Sequence, residues 1–295
     1  MKVFILGGTG FIGKYLVDFF YQRGVEVFLL VRNIQKIKEV KPGIKIIQGD
    51  ALVKGYWQEK ISEMDLIINL VGETIFKRWT PEYKKKIWDS RILSTQRVVE
   101  ALTSRNTLFN ASAIGYYGDR GETILTEDNP SGDLYISHLC KTWEEIALKG
   151  EDRGARIIVG RLGIVIGKGG GFLSTILPLF KLGLGGRLGS GKQWISWIHI
   201  EDLARVVEFL YEKDVEGIFN ITSPQPIRNL EMTKIIANVL RKPAILPTPK
   251  TLLKFFYGEL SEVILSSTRA IPKKLMDLDF TFKYPTFREA LTASL

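Results

Sequence analysis

Leu6-Gly7-Gly8-Thr9-Gly10-Phe11-Ile12-Gly13 decides the fold. It follows Val3-Phe4-Ile5, which with Leu6 makes an apolar run of strand length, and it opens into residues 12–21, whose apolar side chains recur at helical spacing. Two glycine patterns overlap here, one at Gly7, Gly10 and Gly13 and one at Gly8, Gly10 and Gly13. Between a strand and a helix such glycines let the backbone approach a pyrophosphate and let the helix pack close on the strand. The helix N-terminus then offers free N–H groups to the anion. Gly7, Thr9, Gly10, Phe11, Ile12 and Gly13 are therefore candidate dinucleotide-binding residues.

Gly24 is placed to end the first helix, and residues 25–31 form a second strand that is apolar on both faces. Residues 44–47 and 66–71 repeat that pattern, as expected of a parallel sheet covered on both sides. The end of the second strand bears on cofactor choice. An acid there would hold the ribose 2′-hydroxyl of NAD, but the strand ends in Val31-Arg32-Asn33. The planar fork of Arg32 suits a 2′-phosphate, so NADP(H) is expected. Asp50 and Ala51, after the third strand, suit the adenine side; Asp50 is nearly as well read as a turn residue.

A long helix over 81–102 begins with Thr80 as N-cap, Pro81 at the first helical position and Glu82 against the positive helix end. Strands at 107–112 and 157–161 flank a helix at 133–149. This alternation implies an α/β fold with a doubly wound parallel sheet. After Arg161 the rhythm changes. Glycine-rich 163–191 encloses a helix at 172–182, another helix spans 201–211, and 217–222 reads as a seventh strand returning to the sheet. Helical segments at 229–240, 250–258 and 267–275 follow. The expected organisation is a nucleotide-binding domain of 1–165 plus about 194–222, and a smaller, mostly helical substrate-side lobe of about 166–193 and 223–295.

Hydrophobic residues make up 45% of the 295-residue chain and charged residues 25%, enough for a large core without staples. Cys140 is the one cysteine, so no internal disulfide forms. With no targeting signal and no apolar segment of membrane length, a cytoplasmic protein without a membrane partner is expected. The net charge of +9 raises a nucleic-acid reading. The bases are spread along the chain with acids between them, Lys84-Lys85-Lys86 reads as a solvated helix face, and no stacking platform is visible, so no nucleic-acid partner is expected. His138 and His199 lack metal-ligand spacing, and no metal is expected. A homodimer stays open.

Further motifs carry a resemblance. Gly-Gly-Thr-Gly-Phe-Ile-Gly at 7–13, Gly49-Asp50, Ser-Ala-Ile-Gly-Tyr-Tyr-Gly at 112–118 and Trp197-Ile198-His199-Ile200-Glu201-Asp202-Leu203-Ala204 resemble the extended short-chain dehydrogenase/reductase superfamily. Finer features are similar to its atypical "epimerase family protein" branch, which has an extra C-terminal domain of unassigned function. They are Asn69-Leu70-Val71-Gly72-Glu73, Arg78-Trp79-Thr80, Asp89-Ser90-Arg91, Gly189-Ser190-Gly191-Lys192-Gln193-Trp194, Gly258-Glu259 and Tyr284-Pro285. The resemblance runs from about residue 1 to 292. It implies a Rossmann fold of the extended type and a nicotinamide dinucleotide. Leu70, Val71 and Gly72 would pass along its ribose and pyrophosphate, Arg161 and Leu162 would lie near its nicotinamide, and Ser112 would orient a substrate carbonyl.

Ordinary members of that superfamily pair the general acid/base tyrosine of Tyr-x-x-x-Lys with a lysine that lowers its pKa. Here Tyr135 is followed four residues on by Leu139, and Lys141 falls on another helix face. The dyad is absent. Tyr135 itself, Tyr116 or Tyr117 beside Ser112, and Glu73 at the end of the fourth strand are the substitutes. Arg78, Lys86 and Arg91 border the long helix, where they would favour an anionic small-molecule substrate. Two readings follow: an NADP(H)-dependent oxidoreductase or nucleotide-sugar-epimerase-like enzyme working by hydride transfer on a carbonyl or hydroxyl substrate, and a non-catalytic NADP(H)-binding regulatory or scaffold protein.

Overall fold

The computed structural model describes residues 1–36 and 41–295. Among them, seven strands build one parallel sheet: β1 (Lys2–Leu6), β2 (Glu26–Val31), β3 (Lys45–Gln48), β4 (Leu66–Asn69), β5 (Thr107–Ala113), β6 (Arg156–Leu162) and β7 (Gly217–Ile221). Their order is β3-β2-β1-β4-β5-β6-β7, with β1 third from one edge and β4 in the middle. Every pairing is parallel, and Leu6 lies opposite both Leu30 and Asn69.

The helices are α1 (Phe11–Gln22), α2 (Pro81–Ala101), α3 (Tyr135–Leu148), α4 (Gly171–Lys181), α5 (Ile200–Glu212), α6 (Asn229–Leu240), α7 (Lys250–Tyr257), α8 (Leu260–Leu265), α9 (Lys273–Asp277) and α10 (Phe287–Ala293). Because strand side chains alternate, β1 sends Val3 and Ile5 to one face and Phe4 and Leu6 to the other. The first pair packs with Leu16 and Phe20 of α1 and Leu203 and Leu210 of α5. The second packs with Val98 and Val99 of α2, Ala147 of α3 and Trp57. Both faces are therefore covered, which is why these strands read as continuously apolar.

Local signals act as expected at several ends. Thr80 caps α2 by accepting from the Tyr83 amide at 3.2 Å, and Gly24 follows α1 at φ +71°. Strand β7 rejoins the sheet beside β6 after the excursion through α4 and α5.

Residues 267–275 depart from the expected helix. Arg269–Ala270 pairs instead as a short parallel strand with Ile124–Leu125, and Pro272 postpones the helix to α9. The 84–86 run also departs from a uniformly solvated face. Lys84 is drawn inward, 2.9 Å from Glu259 of the α7–α8 turn and 4.1 Å from the Tyr135 ring centroid.

Candidate functional site

The glycine turn sits at the C-terminal edge of β1, where its glycines do separate jobs. Gly7 has φ +79°, and a Cβ there would lie 2.9 Å from the Leu70 carbonyl carbon. At Gly13 a Cβ would lie 2.3 Å from the Gly7 carbonyl oxygen, so the bare backbone brings α1 onto the turn. Gly8 faces the core against Leu29. Gly10 differs: its nearest neighbour to an added Cβ is 3.4 Å away, and the position is exposed. It is also the N-cap of α1, which has neither a side-chain cap nor an acid in its first turn. The first-turn amides of Phe11, Ile12 and Gly13 have no intrahelical acceptors, as at any helix start. The space a Cβ would fill at Gly10 is thus an open cradle for an anion.

Around this turn, Thr9 is exposed and Phe11 and Ile12 are half-buried. Gly170 and Gly171 press on the Phe11 ring, since a Cβ at either would come within 2.7 Å of it. Arg32 stands exposed just beyond β2. Asp50 turns back on its own loop and accepts from the Leu52 amide at 3.0 Å, while Ala51 is buried under β2. Leu70 and Val71 are half-buried and Gly72 exposed along the exit from β4. Asn69 accepts the Val71 amide at 3.2 Å and donates to Asn110 at 2.9 Å, which fixes that exit.

Deeper in, a buried polar chain links β5, α3, β6 and β7. Ser112 donates to Glu144 Oε1 at 2.6 Å. Arg161 meets the same carboxylate through Nε at 2.9 Å and Nη2 at 2.8 Å. Its Nη1 donates to the Tyr117 hydroxyl at 2.9 Å and the Glu127 carbonyl at 3.1 Å, and its guanidinium stacks 3.5 Å from the Tyr116 ring centroid. Tyr117 in turn donates to Asn220 Oδ1 at 2.7 Å.

This chain repositions three expected site residues. Tyr117 is fully buried, and desolvation pushes its phenol up to about 12. Its hydroxyl is held inside by Asn220 and Arg161 and does not face the cleft. The Arg161 side chain is 2% exposed and bound to Glu144, which leaves its backbone and that of Leu162 at the sheet edge. Ser112, also 2% exposed, directs its proton to Glu144 and away from the cleft. Burial pushes the adjacent Cys140 thiol up to about 12 as well.

The remaining candidates gather around Arg91 of α2. Its Nη2 donates to the Glu73 carbonyl at 3.1 Å and its Nη1 to the Ile87 carbonyl at 3.1 Å. The guanidinium lies against Gly72, 3.0 Å from where a Cβ would stand. No carboxylate pairs with it among the described residues. Burial works against its charge, while Cys140, Tyr135, Tyr83 and Glu73 favour it. The Glu73 carboxylate accepts from the Tyr83 hydroxyl at 3.2 Å. Tyr135 donates to the Lys84 carbonyl at 2.8 Å; burial raises its phenol and Arg91 opposes that rise. Arg78 donates to the Phe255 carbonyl at 3.0 Å and Lys86 is exposed. Glu144, which organises the interior, was not singled out from the sequence; an acid on the buried stripe of α3, in register with Ile136, Leu139, Cys140 and Trp143, is the signal for it.

A parallel sheet in this order, with a glycine turn after the interior strand β1 opening onto an uncapped helix, defines a Rossmann-type nucleotide-binding fold. Sequence comparison narrows this. The chain belongs to the NAD dependent epimerase/dehydratase family, whose model matches residues 3–222, and a domain of unknown function, DUF1731, matches residues 248–294. The chloroplastic epimerase family protein SDR39U1 homologue of Arabidopsis thaliana is 36% identical over 99% of this chain and 86% of its own length. An epimerase family protein of Staphylococcus epidermidis is 38% identical over 98% of this chain and 97% of its own. Among solved structures, human epimerase family protein SDR39U1 with NADPH superposes with a TM-score of 0.86 at 29% identity, covering 100% of this chain and 99% of that one. The Thermus thermophilus UDP-glucose 4-epimerase complex with NAD shares the fold, with a TM-score of 0.81 at 20% identity over 100% and 97% of the two chains.

Proposed function

We propose that the chain binds NADP(H) at the glycine turn and transfers a hydride to or from a small carbonyl or hydroxyl substrate. The observation that carries the reading is the open, uncapped start of α1 at Gly10, with Arg32 and no acid at the neighbouring strand end. The NADPH in the related human structure supports the same choice. The amides of Phe11, Ile12 and Gly13 would hold the pyrophosphate, Arg32 the 2′-phosphate, and the backbone from Leu70 to Gly72 would flank the ribose. Bound nicotinamide supplies the hydride chemistry. Of the candidate proton donors, Tyr135 is best supported, because Arg91 and Lys84 set two cations near a phenol that lacks its lysine. The free charge of Arg91 beside Gly72 favours an anionic substrate. Tyr135→Phe should abolish turnover and leave NADPH affinity unchanged.

The binding step is tested by nicotinamide fluorescence titration with NADPH and NADH. Tighter NADPH binding that Arg32→Ala loses supports the assignment; equal binding of both by the variant and the parent overturns it. A second reading, a non-catalytic NADP(H)-binding protein, is favoured by the commitment of Ser112 to Glu144. It requires cofactor binding with no turnover across carbonyl and sugar substrates.

A further inference from the structure

The chain's excess of positive charge lies in two stretches. Residues 168–192 and 232–258 hold nine lysines and arginines and no aspartate or glutamate; the rest of the chain balances 32 bases with 32 acids. Along the sequence the stretches are some 40 residues apart, but the fold lays them side by side. Leu246 donates its amide to the Gly185 carbonyl, Thr248 to that of Arg187, and Gly189 to that of Thr248. A Cβ at Gly183 would touch Pro243. Of the nine bases, Lys168, Lys181, Lys192, Lys234, Arg241, Lys242, Lys250 and Lys254 are exposed. None of the nine pairs with a carboxylate among the described residues.

The same band is greasy. Eight of the seventeen large apolar side chains exposed among the described residues belong to it, including Leu182 at 73%, Ile245 at 79%, Phe255 at 70% and Phe256 at 60%. On α7, Leu252, Phe255 and Phe256 fall at i, i+3 and i+4, and so share one face. Of that helix's eight residues, Leu253 alone is buried. Lys250 and Lys254 stand one turn apart along it.

We infer that this band is a docking surface for an anionic lipid bilayer. Exposed aliphatic and phenyl groups ringed by unpaired lysines match the interfacial mode, in which apolar side chains enter the headgroup boundary and the bases meet lipid charge. Charge decides against a second copy on a shared two-fold axis, which would set nine bases against nine. Six of the eight exposed apolar groups are leucine or isoleucine, on which a base cannot stack, and the two that could stack, Phe255 and Phe256, share their helix face with Leu252. Among the described residues no helix is long and apolar enough to cross a membrane, so the contact is a surface one. The inference is independent of the cofactor assignment.

The full chain is sedimented with phosphatidylcholine vesicles with and without phosphatidylglycerol, at low and high salt. The expected result is binding to the anionic vesicles that weakens with salt. It should weaken about fivefold for each of Lys250→Gln and Lys254→Gln, and fall further in Phe255→Ser/Phe256→Ser, with melting temperatures kept because all four side chains are exposed. Absence of binding to anionic vesicles overturns the inference. So does binding that the phenylalanine pair does not affect, or capture by heparin or polyglutamate equal to that by vesicles, which would assign the charge to an acidic polymer.

Discussion

Glu144→Leu tests the buried polar chain most directly. Glu144 is 3% exposed and is the acid that faces Arg161, which makes two bonds to it from a site 2% exposed. Leucine is close in volume, so the change removes the charge with little cavity. Arg161 is left as an uncompensated buried cation, a loss of about 3–5 kcal/mol. Ser112 loses the acceptor for its hydroxyl, adding roughly 1 kcal/mol. For a chain of this size each kcal/mol moves the melting temperature by about 2–4 °C, so a fall of roughly 8–24 °C is expected. Urea unfolding followed by circular dichroism and by tryptophan fluorescence measures the loss. Adding Arg161→Met to the variant removes the orphaned charge and should return most of the stability. A single variant within about 1 kcal/mol of the parent, or a double variant no better than the single, would refute the assignment of a paired buried charge.

Gly10→Ala should fold normally, since its Cβ has 3.4 Å of room, yet lose NADPH affinity tenfold or more, the worth of about 1.5–3 kcal/mol for a hydrogen bond to a charged group; Gly13→Ala, whose Cβ meets the Gly7 carbonyl at 2.3 Å, should lose stability as well. Thr80→Ala should cost about 0.5–2 kcal/mol by freeing the Tyr83 amide, read in the same unfolding assay. Burial holds the His199 imidazole below its ordinary 6.5, while its Nδ1 accepts the Glu201 amide at the start of α5. The unfolded chain therefore takes up a proton that the folded one resists. Stability from this group is full above about pH 6.5 and declines as pH falls below it. His199→Asn keeps a cap and loses the titration, so its urea midpoint should drop less than the parent's between about pH 7.5 and pH 5.5.

Those features divide by how they are written in the chain. The turn after β1, the cap of α2 and the return of β7 are local signals, in which a few neighbouring residues carry their own geometry. The 267–275 stretch misled because its strand exists only through pairing with Ile124–Leu125, a partner far off in sequence. Glu144 was passed over for a related reason. An acid in an amphipathic helix reads as solvated until Arg161, brought in by β6, stands opposite it. Tyr117 shows the reverse: its motif suggested the cleft, while Asn220 and Arg161 hold it inside. The charge pattern hid in plain view, because bases spaced along two segments look diluted until the backbone lays those segments together.

The last segment reaches back to residues beside the parallel sheet. Asn220 donates to the Ile271 carbonyl, Asp202 accepts the amides of Lys283 and Tyr284, Ser223 donates to the Pro285 carbonyl, and Thr268 donates to that of Gly118. These are interior groups beside the parallel sheet, completed by residues synthesised after all seven of its strands. During synthesis the sheet can assemble while such groups lack partners, and they are satisfied when residues 268–285 arrive. A chain released early, even at the end of the 3–222 match, would hold all seven strands of the main sheet and yet remain a target for proteolysis.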